Sequence, residues 1–168
     1  FFNLLNPYAL VGGLAAVAVF TLHGAPFLTL KLGGGLEGRA RAAAGRVWPP
    51  AVALCLLFGV LGYFQTEGFG HLGVNPGVVP LTAVSCLLAV RWCVANRQDG
   101  WAFVLTALTV VAASATLFTT LFPRVMVSSL DPAWSLTVHN AASSPHTLKL
   151  MTIVAVALVP VVLTYQAW

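Results

Sequence analysis

The stretch "WAFVLTALTVVAASATLFTTLF", Trp101 to Phe122, decides the fold class of this chain. It runs without a charged residue for longer than the ~20 helical residues that cross a bilayer core of ~30 Å. Lipid offers no hydrogen-bond partner to backbone groups, so only a helix or a closed barrel can cross it. The run lacks the two-residue alternation of a barrel strand. The stretch therefore predicts a transmembrane helix.

The composition of the whole chain agrees with this prediction. Of its 168 residues, 59% are hydrophobic and 7% are charged, whereas about 25% are charged in an ordinary soluble domain. Eight basic and four acidic residues cannot form the polar surface of a cytosolic enzyme. The net charge of +4 is spread along an apolar chain, which excludes a nucleic-acid-binding patch. The remaining class is an all-α integral membrane protein.

Four further apolar segments bring the predicted number of transmembrane helices to five, in a single domain that covers residues 1–168. Glycine and proline mark their ends: Gly33-Gly34-Gly35 stops the first, Pro49-Pro50 opens the second, and Pro123 ends the fourth. The predicted spans are about 8–30, 47–64, 78–94, 101–122 and 147–168.

The basic residues predict which connections face the cytoplasm. Six of the eight lie in or beside the connections 31–46 and 95–100, which we expect on the cytoplasmic side. The connections 65–77 and 123–146 are then extracytoplasmic. This orientation puts Trp48, Trp92 and Trp101 at the inner membrane interface, where an aromatic belt is expected.

Small and hydroxyl side chains form a stripe on each of the first four spans, which predicts close packing of helices. The clearest is the threonine stripe of the fourth span. One interpretation of this stripe is a polar path for protons. The other is close helix packing, in which each hydroxyl donates to the carbonyl oxygen one turn earlier in its own helix. Packing is favoured because ionisable relay groups are missing from the spans. The stripes are Gly12, Ala16, His23 and Pro26; Ala51, Cys55, Gly59 and Gly62; Thr82, Cys86, Ala89 and Cys93; and Thr106, Thr109, Ala113, Thr116 and Thr120.

His23 is the only histidine well inside a predicted span. A b-type heme in a helix bundle needs two axial ligands at matching depth. Met151 is a possible second ligand, but it would lie at the opposite end of the bundle from His23. We therefore expect a hydrogen-bonded core histidine, with heme bound by this chain alone as the disfavoured alternative. The three cysteines lie in apolar runs without metal-ligand spacing. These patterns predict no catalytic residue and no metal ligand, and they leave cofactor binding open.

The connection from Pro123 to Lys149 is long and contains apolar residues such as Val125, Met126 and Trp134. A disordered linker does not need them. We expect an ordered outer loop that packs on a partner.

This part of the chain also carries a family resemblance. The run from Phe122 to Trp168 closely resembles subunit II of the cytochrome bd quinol oxidases. The segment "FTLHGAPFLTLK", Phe20 to Lys31, is similar to that family's helix ending in Leu-His-Gly-Ala, and Asn6-Pro7 precedes that helix. The matching residues of the last run are Pro123, Met126, Ser128-Ser129, Pro132, Ser135-Leu136-Thr137, Asn140, Ser143-Ser144, Thr147-Leu148, Met151-Thr152, Val159-Pro160 and Tyr165.

The resemblance implies the C-terminal half of a longer subunit, folded as a four-helix bundle plus one further helix. It implies a bacterial inner-membrane enzyme that oxidises quinol, reduces dioxygen to water and generates a membrane potential. Hemes b and d are then expected in the partner, heme-bearing subunit I. This chain would be a heme-free supporting subunit that contacts membrane lipids and has room for a structural quinone.

Two alternatives from other classes stay open at this point. Half of a secondary transporter would also consist of apolar helices with proline or glycine breaks. A membrane assembly or scaffold protein would need only the packing surfaces.

Overall fold

A computed structural model describes residues 6–65, 77–126, 128 and 131–167. These residues belong to two compact units, Phe1–Thr120 and Leu121–Trp168. Five of the helices are long and apolar enough to cross a membrane. The predicted class of all-α integral membrane protein is therefore confirmed. Trp168 and most of the predicted connection 65–77 lie outside the described residues.

The first unit contains four long helices. α1 begins where the Asn6 side chain accepts a hydrogen bond from the Tyr8 backbone N–H at 3.1 Å, which satisfies one of the free donors of a helix start. It ends at a tight turn in which Gly34 and Gly35 have φ angles of +68° and +90°, a conformation that favours glycine. The helices are α1 (Pro7–Lys31), α2 (Leu36–Gln65), α3 (Val78–Ala95) and α4 (Asp99–Leu121).

The start of α2 differs from the prediction. The helix begins at Leu36, and Pro49 and Pro50 lie inside it, so the expectation that these prolines open it is wrong. The segment before them is rich in alanine and arginine, which are good helix formers. A helix of 30 residues is about 45 Å long and exceeds a bilayer core of ~30 Å. Its first turns can therefore project beyond the lipid while the predicted span 47–64 crosses it.

The core of the first unit is built from side chains of all four helices. α1 packs along α2, and α2 packs against α3. Most of the buried residues are small, as expected where dispersion between closely approaching helices replaces the hydrophobic effect. They are Leu22 and Ala25 of α1, Ala44 and Ala51 of α2, Leu87, Val90, Cys93 and Val94 of α3, and Ala102 of α4.

The packed face of α1 agrees only in part with the predicted one, of which Pro26 is buried. Ala16 is exposed and Gly12 and His23 are only half-buried, whereas Ala15, Val19 and Leu22 are buried. Small residues occur on several faces of α1, so their spacing alone did not identify which face carries the larger contact. The threonine face of α4 is correct, because Thr106 and Thr109 are buried.

The second unit begins with a small hairpin, in the segment predicted as an ordered loop. Strands β1 (Arg124–Met126) and β2 (Leu136–Thr137) pair antiparallel, with a 3₁₀ turn at Pro132–Trp134 between them. A one-turn helix α5 (Val138–Ala141) follows, and then the long helix α6 (Pro145–Ala167). No residue of the membrane-length window of α6 is buried within the structure.

Candidate functional site

His23 makes the most informative polar contact among the described residues. Its Nδ1 lies 2.8 Å from Oγ1 of Thr106 on α4. The Thr106 hydroxyl also lies 2.8 Å from the Phe103 carbonyl oxygen, to which only the hydroxyl can donate. His23 therefore donates from Nδ1–H to the Thr106 hydroxyl oxygen. The prediction of a hydrogen-bonded histidine is confirmed.

The His23 ring is also fixed by an aromatic stack. It lies nearly parallel to the Phe103 ring, with 4.8 Å between the centroids and 22° between the planes. Phe27 makes a tilted contact with the same Phe103 ring at 6.0 Å. Histidine and two phenylalanines thus connect α1 to α4, which is a packing arrangement that orients the imidazole.

The threonine stripe of α4 bonds to its own helix. The hydroxyls of Thr109 and Thr116 each donate to the carbonyl one turn earlier at 2.8 Å, and that of Thr120 does so at 2.9 Å. A hydroxyl that bonds back in this way needs no external partner. These contacts favour the packing interpretation of the stripe over a proton path.

A salt bridge connects the beginnings of α2 and α4. Nε of Arg41 donates to one carboxylate oxygen of Asp99 at 3.0 Å, and its Nη2 donates to the other oxygen. The side chains are 20% and 15% exposed, so solvent screens this pair less than a surface pair. Sequence analysis missed this contact because it placed both residues in connections. The sequence does contain a signal for this pair: Asp99 is an isolated acid just before the fourth predicted span, and Arg41 belongs to the basic segment before the second.

Trp48 makes a second contact between neighbouring helices near the same end. Its indole Nε1–H donates to the Leu87 carbonyl oxygen of α3 at 2.7 Å. The Arg91 guanidinium carbon lies 6.0 Å from the centre of the Trp48 ring, at the outer limit of a cation–π contact. Trp48 therefore joins α2 to α3 by a hydrogen bond and provides a surface for Arg91.

The hairpin of β1 and β2 is held by its own side chains. Ser135 is buried, and its hydroxyl accepts the Ser128 N–H at 3.1 Å. Thr137 and Asn140 form a reciprocal cap at the start of α5, and the Asn140 amide also donates to the Ser135 carbonyl at 3.3 Å. The prediction of an ordered loop is confirmed for the described residues, whereas its packing on a partner stays a prediction.

The described residues were also compared with what a heme or a metal requires. In the described part of the first unit, His23 is the only histidine and there is no methionine, so it lacks the histidine or methionine partner of a six-coordinate b-type heme. The described residues contain no group of three or more histidine, cysteine, aspartate or glutamate side chains that could hold a metal ion. The described helices of the first unit therefore do not form a six-coordinate heme site by themselves.

These features define a class: a multi-pass helical membrane protein in which the polar contacts of His23, Arg41 and Trp48 each join two helices. The chain belongs to the cytochrome bd terminal oxidase subunit II family, because the model of that family matches residues 1–168. The resemblance noted in the sequence is thereby confirmed.

Curated relatives carry the same description. Cytochrome bd ubiquinol oxidase subunit 2 of Bacillus subtilis is 35% identical over 166 residues, which cover 99% of this chain and 49% of that protein. Cytochrome bd-I ubiquinol oxidase subunit 2 of Escherichia coli is 31% identical over 198 aligned residues, which cover 100% of this chain and 52% of that protein. The chain thus spans about half the length of the curated relatives it matches.

Proposed function

We propose that this chain is part of a heme-free supporting subunit in a bd-type terminal oxidase that couples quinol oxidation to the reduction of dioxygen to water. The observation that carries the proposal is the family match over the whole chain. The structure supports the supporting role, because the contacts of His23, Arg41 and Trp48 each connect two helices.

The proposed partner is a heme-bearing subunit I that holds hemes b and d. The described surface of the chain supports association with a large apolar partner or with lipid, because α6 has no buried residue in its membrane-length window. A structural quinone and membrane lipids are the proposed smaller ligands. No catalytic residue and no metal ligand is proposed for this chain.

The proposed location is the bacterial inner membrane, with connections 31–46 and 95–100 in the cytoplasm and connections 65–77 and 123–146 outside. The charge distribution supports this orientation, because the charged residues described in the first unit all cluster at the end where α1 ends and α2 begins. A single transmembrane domain that forms the C-terminal half of the subunit remains the proposed organisation.

Co-purification tests this function directly. The full-length protein that contains this chain, tagged and extracted in mild detergent, should bring down a second membrane subunit with visible heme absorbance. The preparation should consume dioxygen when quinol is added. A colourless preparation that transports a solute would instead support the transporter alternative, and one with neither property would support a scaffold.

A further inference from the structure

The described charges of the first unit lie at one end of its helices. Six are basic and two are acidic, and the Arg41–Asp99 salt bridge uses one of each. The end is therefore strongly positive even after internal pairing. The residues are Lys31, Glu37, Arg39, Arg41, Arg46, Arg91, Arg97 and Asp99.

Arg91 lies against the neighbouring helix without an acidic partner, whereas Arg41 is paired with Asp99. One of its terminal nitrogens lies 3.6 Å from the position that a side chain on Gly45 would occupy. Its guanidinium carbon lies 6.0 Å from the centre of the Trp48 ring, and Trp48 is itself fixed by its hydrogen bond to α3. The guanidinium thus lies beside α2 at Gly45, where a Cβ atom would meet it only at ordinary contact distance.

This guanidinium has no acidic partner in the part of the chain that the structure describes, where the Arg41–Asp99 pair is the only salt bridge. Arg91 is exposed, and so is Arg46, the residue after Gly45. Arg91 and Arg46 both lack a carboxylate partner among the described residues, and only Arg91 lies against the Trp48 ring.

The position of this group along the helices identifies what can neutralise it. Arg91 lies about one turn before the end of α3, and the neighbouring Trp92 and the nearby Trp101 of α4 are both exposed. Exposed tryptophans at the ends of membrane-spanning helices lie at the level of the lipid headgroups. A planar guanidinium at that level matches the geometry of a phosphate group.

We propose that Arg91, which lies close to Gly45 and Trp48 of α2, binds the phosphate of an anionic phospholipid beside the end of α3. This site depends on the first unit alone and not on the oxidase activity proposed above. Basic groups between transmembrane helices near a membrane surface are a recurrent arrangement for anionic headgroups.

The test is a titration of phosphatidylglycerol onto the delipidated full-length protein, with the subunits that co-purify, followed by native mass spectrometry. Arg91→Gln should weaken one lipid-binding step about fivefold, the effect expected for one basic residue at a membrane surface. Arg39→Gln removes another exposed cation of the same end, one for which the structure shows no contact to Trp48, and should leave this binding step unchanged. If Arg91→Gln does not accumulate, Arg91→Met keeps the apolar stem and is judged by the same criterion.

A second arm separates the two sources of phosphate. Excess inorganic phosphate should leave the bound phosphatidylglycerol in place, because a lipid also contacts the helices with its chains. Displacement by inorganic phosphate would assign the site to a soluble anion and overturn the lipid proposal. Equal phosphatidylglycerol titrations for the wild type and the Arg91 variant would overturn it as well.

Discussion

Thr106 decides the hydrogen-bond role of the His23 ring. Its hydroxyl proton is used by the Phe103 carbonyl, so its oxygen can only accept from the imidazole. Sequence analysis singled out both residues, His23 for its depth and Thr106 for its place in the stripe. It could not pair them, because they are 83 residues apart in the chain and the pairing depends on how α1 rotates against α4.

Replacing the Thr106 hydroxyl tests its contact with His23 separately from its bond to its own helix. Thr106→Val should lower the free energy of unfolding by about 1 kcal/mol, because the His23 N–H loses its acceptor between helices. Thr116→Val is the matched control, since the Thr116 hydroxyl bonds only to its own helix at 2.8 Å. Detergent-induced unfolding of the two variants measures the difference. An equal loss in both variants would show that the contact to His23 contributes nothing.

At the scale of single elements, α2 and the hairpin of β1 and β2 show where sequence reasoning succeeds and where it stops. The apolar run 47–64 predicts the part of α2 that crosses the membrane. The run cannot show that the helix starts at Leu36, because an alanine- and arginine-rich segment is compatible with a polar loop as well. The ordered state of the hairpin followed from its apolar residues, whereas its strand register depends on contacts such as that of Ser135.

The salt bridge between α2 and α4 should contribute measurable coupling. In a double-mutant cycle of Arg41→Gln and Asp99→Asn, we expect a coupling free energy of about 1 kcal/mol, because the pair is bidentate and mostly shielded from solvent. Unfolding of the four proteins in detergent gives this value. Additive effects of the two substitutions would mean that the pair forms without stabilising the bundle.

The hairpin of β1 and β2 exposes an aromatic side chain on a self-supporting scaffold. Trp134 is 68% exposed, so Trp134→Ala should leave the hairpin folded and weaken association with the partner subunit. Trp134→Phe retains an aromatic surface and should behave nearly as the wild type. Recovery of the partner after size-exclusion chromatography measures this. Full recovery with the alanine variant would remove the hairpin from the subunit interface.

For the whole molecule, the class, the number of membrane-length helices and the family all followed from the sequence, because each depends on apolar length or on local residue patterns. The packed face of α1 and the pairing of Arg41 with Asp99 did not follow. Both depend on how the helices are rotated relative to one another. In so apolar a chain, residues that face lipid and residues that face protein are of the same types, so the sequence does not reveal this rotation.

Thiol labelling tests the proposed orientation of the chain. In a background in which Cys55, Cys86 and Cys93 are replaced by alanine, Arg39→Cys should react with a membrane-impermeant reagent only from the cytoplasmic side. Ser144→Cys should react only from the outside. Inside-out and right-side-out vesicles provide the two accessibilities. The reverse labelling pattern would invert the assignment of every connection.

The clustering of charge at one end of the first unit also has an electrical consequence. Six basic and two acidic residues leave four unbalanced positive charges there. Carrying them outward across a membrane with about 100 mV, negative inside, would require about 9 kcal/mol of work against the field. A respiring cell would thus hold this end on its inner side by voltage, and the same voltage would oppose inversion of the helices during insertion.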